Sequence, residues 1–147
     1  MHIQTLTLHN YRGAQSLSLD LDSRLNVFVG SNGAGKSTVL DADTLLLSWV
    51  VNRIRTPGAS GRPIAEGDIT NGQSSSFIDA VGVHEDNRIT WRLAKARKGV
   101  RTIAKSTHLK PLSPYINAVQ DQLQLENAAL PLFACYPVNR DVLDIPL

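Results

Sequence analysis

The feature that most constrains this chain is a glycine-rich stretch from Gly30 to Thr38. Its sequence, GSNGAGKST, fills the pattern G-x-x-x-x-G-K-[ST] at every fixed position. The apolar, β-forming segment 25–29 precedes the stretch, and residues 39–47 have the composition of a helix. A strand, a loop and a helix in this order are the context in which the pattern forms a phosphate-binding loop.

The residue types in this loop suit an anion. Gly30, Gly33 and Gly35 allow positive φ, so we expect backbone N–H groups to turn toward a phosphate. The following helix should begin near Lys36 and present its unpaired N–H groups to the same anion. Lys36 would contact the β and γ phosphates of a nucleoside triphosphate, and the Ser37 hydroxyl would bind Mg²⁺. The predicted nucleotide-binding residues also include Ser31, Asn32, Ala34 and Thr38.

Length and composition set the outer limits. A chain of 147 residues can build one core, but it is short for a complete NTPase of most phosphate-loop classes. A formal net charge of +2 is too small to indicate nucleic acid by itself. The single cysteine, Cys135, excludes an internal disulfide framework, and no apolar run approaches the ~20 residues of a membrane span. We therefore expect a cytoplasmic protein with no membrane partner.

Hydrophobic patterns predict two antiparallel strands ahead of the loop. Apolar residues are interspersed with threonine over residues 2–9, and leucine alternates with serine and aspartate over residues 17–21. Asn10-Tyr11-Arg12-Gly13 is predicted to turn the chain between them. The apolar segment 25–29 is the predicted strand that leads into the phosphate loop.

After the loop, the pattern predicts a buried helix to about Ile54, in which Trp49 packs rather than stacks on a base. Strands are predicted near residues 77–83 and 89–93, with a turn at 85–88 between them.

Ser113-Pro114 has the residue types of a helix start, and the helix is predicted to run to about Glu126. Residues 130–136 form an apolar run that favours a buried strand of a parallel sheet, with Cys135 as a small core residue.

Further positions around the loop match a known family. The Asn10-Tyr11-Arg12 turn, the Asn32-Gly33 pair and the Asp41-Ala42 pair lie in the stretch IQTLTLHNYRGAQSLSLDLDSRLNVFVGSNGAGKSTVLDA. This stretch resembles the N-terminus of the RecF, SMC and OLD group of ABC-class ATPases. The segment LPLFACYPVNRDVLDIPL is similar to a subgroup of predicted ATP-binding proteins that includes Septu- and retron-associated anti-phage ATPases.

The resemblance implies an α/β fold: the N-terminal half of a P-loop NTPase of ABC-head type, with a mixed sheet, an antiparallel β-subdomain and flanking helices. On this view residues 1–55 are the phosphate-loop core and residues 68–105 are the β-subdomain. Residues 113–147 would form a helix and a core strand leading toward the C-terminal half. The implied cofactors are ATP and Mg²⁺. Arg12 is implied as a ligand of the nucleotide phosphates, with a solvated turn residue as the alternative.

The same resemblance implies partners. An ABC-type head closes as a head-to-head homodimer around two nucleotides, or pairs with the C-terminal half of its own head, and a nuclease companion would fit a DNA-linked defence system. Between Asp86 and Asp121 the chain has basic residues but no acidic one. DNA or an acidic protein could bind there, although an ordinary solvated strand face is the alternative. The candidate contacts are Arg88, Arg92, Lys95, Arg97, Lys98 and Arg101.

Several parts of a complete ATPase head have no match in the sequence. No four apolar residues are followed by Asp-Glu after the loop, and no S-G-G signature occurs. The resemblance implies a coupling glutamine after the strand at 130–136; none is present, Asn139 or Arg140 could substitute for it, and an ordinary polar loop is the alternative. No catalytic residue is therefore identified. A non-catalytic scaffold built on the same loop remains an alternative. A GTPase or small-molecule kinase is another, although no N-K-x-D base reader is present.

The sequence thus predicts that this chain alone hydrolyses ATP no faster than background, because it lacks the carboxylate that polarises the attacking water. Phosphate release from Mg-ATP by the purified chain checks this expectation. Sustained turnover that disappears in Lys36→Ala would contradict it.

Overall fold

The computed structural model describes residues 1–100, 105–125 and 131–136. Its centre is a four-stranded antiparallel sheet in the order β2-β1-β3-β4. The strands are β1 (His2–Tyr11), β2 (Ala14–Asp20), β3 (Ser75–His84) and β4 (Asn87–Ala96). Helix α1 (Lys36–Arg55) follows the phosphate loop, and helix α2 (Ser113–Leu123) follows a short 3₁₀ turn.

One face of the sheet is buried because side chains alternate across it. Leu6 and Leu8 of β1, Ile78 of β3 and Trp91 of β4 are almost fully buried and belong to one core. Helix α1 contributes its inner face to this core through Val39, Ala42, Leu45, Leu46 and Val50. Burying each large apolar side chain contributes about 1.5–3 kcal/mol. The packing of α1 against the sheet therefore holds the start of the helix in place, and the phosphate loop ends at that point.

Tight turns join the strands in pairs. Tyr11 pairs with Ala14 across the first turn, where Arg12 has a φ of 50°. His84 pairs with Asn87 across the second, where Glu85 and Asp86 have φ of 47° and 64°. In the second turn, positive φ at both central residues matches the twist of the flanking strands; in the first, Arg12 has positive φ and Gly13 does not. Both predicted hairpins are confirmed, and each strand extends by a few residues beyond its predicted core.

The predicted strand at residues 25–29 is wrong for the part of the chain that the structure describes. The segment has no strand assignment, and Leu25 and Val29 are 73% and 90% exposed. A strand of a parallel sheet needs hydrogen-bonding neighbours. No described strand pairs with this segment, so its apolar residues have no sheet to join.

The predicted buried strand at 130–136 is also wrong where the structure describes it. Residues 131–136 are irregular, and Leu132 is 92% exposed. Cys135 is exposed rather than in the core, with its Sγ 2.9 Å from the Thr44 Oγ1 of α1. The predictions for Glu126, Arg101, Asn139 and Arg140 lie outside the described residues.

The predicted division into three parts stays a prediction, although β1 and β3 pair directly and place the first two parts in one sheet.

Ser113 is the first residue of α2 and makes no capping hydrogen bond, so the predicted N-cap is wrong while the first-turn proline is confirmed. Trp49 packs against Gly61 and donates its indole N–H to Arg62 O at 2.9 Å, which confirms its packing role. Among the described helices, none has the length and apolar character needed to cross a membrane.

Asp43 is an uncompensated acid on α1. Its Oδ1 is buried and has no hydrogen-bond partner in the part of the chain that the structure describes. Burial raises the pKa of the Asp43 carboxyl from 3.8 to about 6, because desolvation penalises the charged form. Between these two pH values the Asp43 carboxyl is protonated to a greater extent in the folded state than in the unfolded state. The contribution of Asp43 to stability is therefore most favourable below the lower value and falls as pH rises toward the upper one.

We predict that Asp43→Asn stabilises the protein at pH 7 by about 1–2 kcal/mol, because the amide keeps the shape of the side chain and removes the buried charge. The difference from the wild type should vanish below about pH 4. Urea unfolding at the two pH values measures it. The exposed Asp121→Asn is the matched control, with an expected change within about 0.5 kcal/mol. A variant less stable than the wild type at pH 7 would contradict the prediction.

Candidate functional site

The phosphate loop takes its shape from two glycines in the left-handed region. Gly33 has a φ of 84°, and Gly35, the N-cap of α1, has a φ of 88°. The expectation of positive φ is confirmed at these two positions and is wrong at Gly30. There the constraint is close approach, since a Cβ on Gly30 would lie 3.1 Å from the Cβ of Ala34.

The first turn of α1 is open to an anion. Among the described residues no side chain caps this helix, and its first turn contains no acidic residue. The opening N–H groups of any α-helix have no intrahelical partner, and the helix dipole makes this end positive. Ser37, at the start of the helix, is exposed. This arrangement favours a phosphate group at the beginning of α1.

Lys36 reaches back across the loop. Its Nζ donates to Gly30 O and to Ser31 O, both at 2.7 Å. An ammonium group has three donors, so these two bonds leave one N–H for a ligand. The side chain therefore closes the loop and holds a positive charge at its mouth.

Solvent reaches the loop from two clefts. One, of about 790 Å³, lies between β2, residues 27–29 and the loop. The other, of about 690 Å³, lies between residues 26–28 and the start of α1. Both are lined by Gly33, Ala34, Gly35 and Lys36. Clefts of this size are typical of small-molecule sites, so nothing in the described chain blocks a triphosphate from the loop.

The described residues contain no cluster of three or more His, Cys, Asp or Glu side chains able to hold a metal ion. Ser37 is exposed at the start of α1, and its hydroxyl would be the protein ligand of a Mg²⁺ bound to phosphate oxygens. Mg²⁺ commonly binds through one or two protein ligands together with substrate phosphates and water. The residues present fit that mode.

Arg12 lies in an ion-pair cluster beside the loop. Its Nη1 bonds Asp41 Oδ2 of α1, and its Nε donates to Asp68 Oδ1 at 2.9 Å. Burial lowers the pKa of Arg12, but the hydrogen bonds to the two carboxylates outweigh it and raise the pKa above its ordinary value. Burial raises the pKa of the neighbouring Tyr11 to about 12. Arg12 is therefore not a freely solvated turn residue.

The sequence did not predict that these two carboxylates pair with Arg12. Asp41 stood out as part of the Asp41-Ala42 match, but nothing linked it to Arg12. Asp68 comes 56 positions after Arg12. Only the packing of the turn at Glu66–Asp68 against the β1–β2 turn brings the pair together.

The basic run, which is the set of candidate contacts from Arg88 to Arg101, contains residues that bond within the fold and residues that are exposed. Arg92 Nε lies 2.5 Å from Asp79 Oδ1. Arg97 donates to the carbonyls of Gln73 and Ile69 at 2.8 and 3.0 Å. Lys95 is half-buried, and Arg88 and Lys98 are exposed. The predicted surface for DNA or an acidic protein is thus reduced to its exposed members, because Arg92 and Arg97 serve the fold.

Comparison with known proteins gives a family match over most of the chain. The family described as AAA domain matches residues 5–144. The chain is 29% identical to the "Retron Ec83 probable ATPase" of Escherichia coli over 95% of this chain and 26% of that protein. It is 26% identical to the "DNA replication and repair protein RecF" of Flavobacterium johnsoniae over 97% of this chain and 35% of that protein. The chain therefore spans about a quarter to a third of these relatives.

Two further similarities are narrower. The RecF protein of Leptospira interrogans is 50% identical over 50 residues, which are 34% of this chain and 13% of that protein. A solved structure described as "Structural biochemistry of ATP-driven dimerization and DNA stimulated activation of SMC ATPases" aligns with a TM-score of 0.49 at 19% identity. The alignment covers 68% of this chain and 66% of that chain.

We predict that Gly35→Ala lowers the free energy of unfolding by about 1–2 kcal/mol, because its φ of 88° is strained for any residue with a Cβ. Thermal or urea unfolding measures the change. Gly67→Ala is the matched control, since its Cβ would also meet nothing within 4 Å and its φ is not positive. Equal stability of the two variants would contradict the conformational role of Gly35.

Proposed function

This chain belongs to the AAA domain family, within the RecF and SMC group of ABC-type ATPase heads, and we propose that it binds ATP and Mg²⁺ at the phosphate loop. The resemblance drawn from the sequence is confirmed, and so is the predicted fold class of a sheet with flanking helices. The observation that carries the proposal is the open first turn of α1, with Lys36 at the mouth of the loop.

Each group at the loop has a distinct role in this proposal. The backbone N–H groups at Gly33, Gly35 and Lys36 surround a phosphate, while the Lys36 ammonium contacts the β and γ oxygens. Ser37 binds Mg²⁺, which when present neutralises charge on the phosphates. Ala34 and Thr38 line both clefts beside the phosphates, Asn32 lines one of them, and Ser31 accepts a hydrogen bond from Lys36 through its carbonyl oxygen.

Hydrolysis would need groups from outside the described residues. The two carboxylates of the cluster beside the loop, Asp41 and Asp68, are both bonded to Arg12 and are not assigned to water activation. We propose that these groups come from the remainder of the head, and that ATP holds two heads together. The exposed apolar side chains of segment 25–29 and of Leu40 support this arrangement, because the remaining part of a head would cover them.

We further propose a DNA-linked role for the whole protein in the cytoplasm. The names of two relatives support it, one a retron ATPase and the other a DNA replication and repair protein. A role in phage defence, with a nuclease as companion, would fit the retron relative. DNA bound to a larger protein that contains this chain, and not to a Lys36→Ala version, would link nucleotide to DNA.

We predict that Lys36→Ala weakens Mg-ATP binding at least about 100-fold, because the alanine removes a charge-assisted contact to the triphosphate. Isothermal titration with ATP, GTP and ADP measures affinity and base preference. Lys110→Ala, an exposed lysine on another element, is the control and should leave affinity unchanged.

Circular dichroism should show the same fold in both variants. Equal Mg-ATP affinity for Lys36→Ala and the wild type would refute the site. Clear preference for GTP would replace the ATPase proposal with a GTPase.

A further inference from the structure

The Arg12 cluster joins three separate parts of the chain at one guanidinium. Arg12 comes from the β1–β2 turn, Asp41 from the second turn of α1, and Asp68 from a separate 3₁₀ turn, Glu66–Asp68. The Arg12 side chain is 36% exposed and that of Asp41 is 45% exposed. The cluster is therefore partly open to solvent. An ion-pair cluster that only stabilised the fold would not need this exposure.

The backbone of Arg12 is held as firmly as its side chain. Its N–H donates to Asp68 O at 2.6 Å, and Thr70 Oγ1 donates to Arg12 O at 2.7 Å. Arg12 keeps a φ of 50°, which costs free energy for a residue with a Cβ, so these bonds maintain a strained turn. Nε and Nη1 are occupied, and among the described residues Nη2 has no partner.

The cluster stands next to the phosphate loop. Gly13 and Ala14, which directly follow Arg12, line the same cleft as Gly33 to Lys36. Asp41 is five positions after Lys36 on α1, which places it about 7.5 Å further along the helix axis. Arg12 thus directly precedes the cleft wall at Gly13, although Arg12 is not itself among the residues that line either cleft.

We infer that Asp41 and Asp68 are positioning residues that hold Arg12 with Nη2 ready to contact the bound triphosphate. The inference rests on the proposed function. Two carboxylates and one guanidinium give the cluster a net charge of −1, which repels phosphate. The carboxylates therefore assist binding through geometry, because they remove rotamer freedom from Arg12 before the nucleotide arrives.

Variants at Asp41 separate geometry from charge. Asp41→Asn keeps an acceptor oxygen and removes the charge, whereas Asp41→Ala removes both. Because the side chain is nearly half exposed and alanine favours helices, neither change should prevent folding. We expect Asp41→Ala to weaken Mg-ATP binding about 5- to 10-fold and Asp41→Asn less than about 2-fold. Asp121→Ala, on the exposed face of α2, is the control and should have no effect.

Repeating the Asp41 substitution in an Arg12→Ala protein distinguishes a positioning role of Asp41 from a general structural role. Arg12→Ala should weaken Mg-ATP binding about 10-fold. In that background Asp41→Ala should cause no further loss, because there is no side chain left to position. Mg-ATP titrations of the wild type, the two Asp41 variants, Arg12→Ala and the double variant give the comparison, with Asp121→Ala and Lys36→Ala as references and unfolding curves run in parallel.

The outcomes are separable. A wild type that fails to bind Mg-ATP would refute the proposed function and this inference together. If the wild type binds, Lys36→Ala does not, and Asp41→Ala matches the wild type, the inference alone is wrong. Stronger binding by both Asp41 variants would show that charge outweighs geometry and would also overturn it. A further loss in the Arg12→Ala background would assign Asp41 a general structural role instead.

Discussion

The unpaired N–H groups at the start of α1 are the interaction on which this structure depends. They can serve an anion only if the preceding chain turns sharply away, and Gly33 and Gly35 provide that turn through left-handed backbone. The helix itself is held by the burial of its inner face against β1 and β3. The core thus stabilises the helix, the helix fixes the loop, and the loop presents Lys36 and Ser37 to a ligand. Loss of either glycine would disturb this order at its most constrained point.

The sequence predicted the elements that form through neighbouring residues. Alternating apolar side chains gave β1 to β4, and the positions of Glu85 and Asp86 marked a tight turn. The two failures share a cause, because segments 25–29 and 131–136 have the composition of buried strands while a strand also needs partners. Partners belong to the tertiary arrangement, and in the described part of the chain neither segment is assigned to a strand.

The candidate site also contains features that the local sequence predicts and features that depend on the tertiary structure. The pattern G-x-x-x-x-G-K-[ST] was sufficient to predict Lys36 at the loop, since the loop and its helix are contiguous. It could not show that the Lys36 ammonium bonds Gly30 O and Ser31 O, or that Gly30 is needed for close packing instead of positive φ. The basic run shows a similar limit. Its charges are visible in the sequence, but the pairing of Arg92 with Asp79 depends on the register of β3 and β4.

The bare apolar segment ahead of the loop also affects how the molecule behaves at high concentration. Leu25, Val27 and Val29 are exposed at alternate positions, and no charged residue separates them. Such a stretch can template β pairing between copies, the first step of aggregation. Proteins normally protect such stretches with lysine, proline or a covering element. Segment 25–29 contains neither lysine nor proline, so a covering element would have to protect it, and aggregation as the protein is concentrated would indicate that this cover is absent.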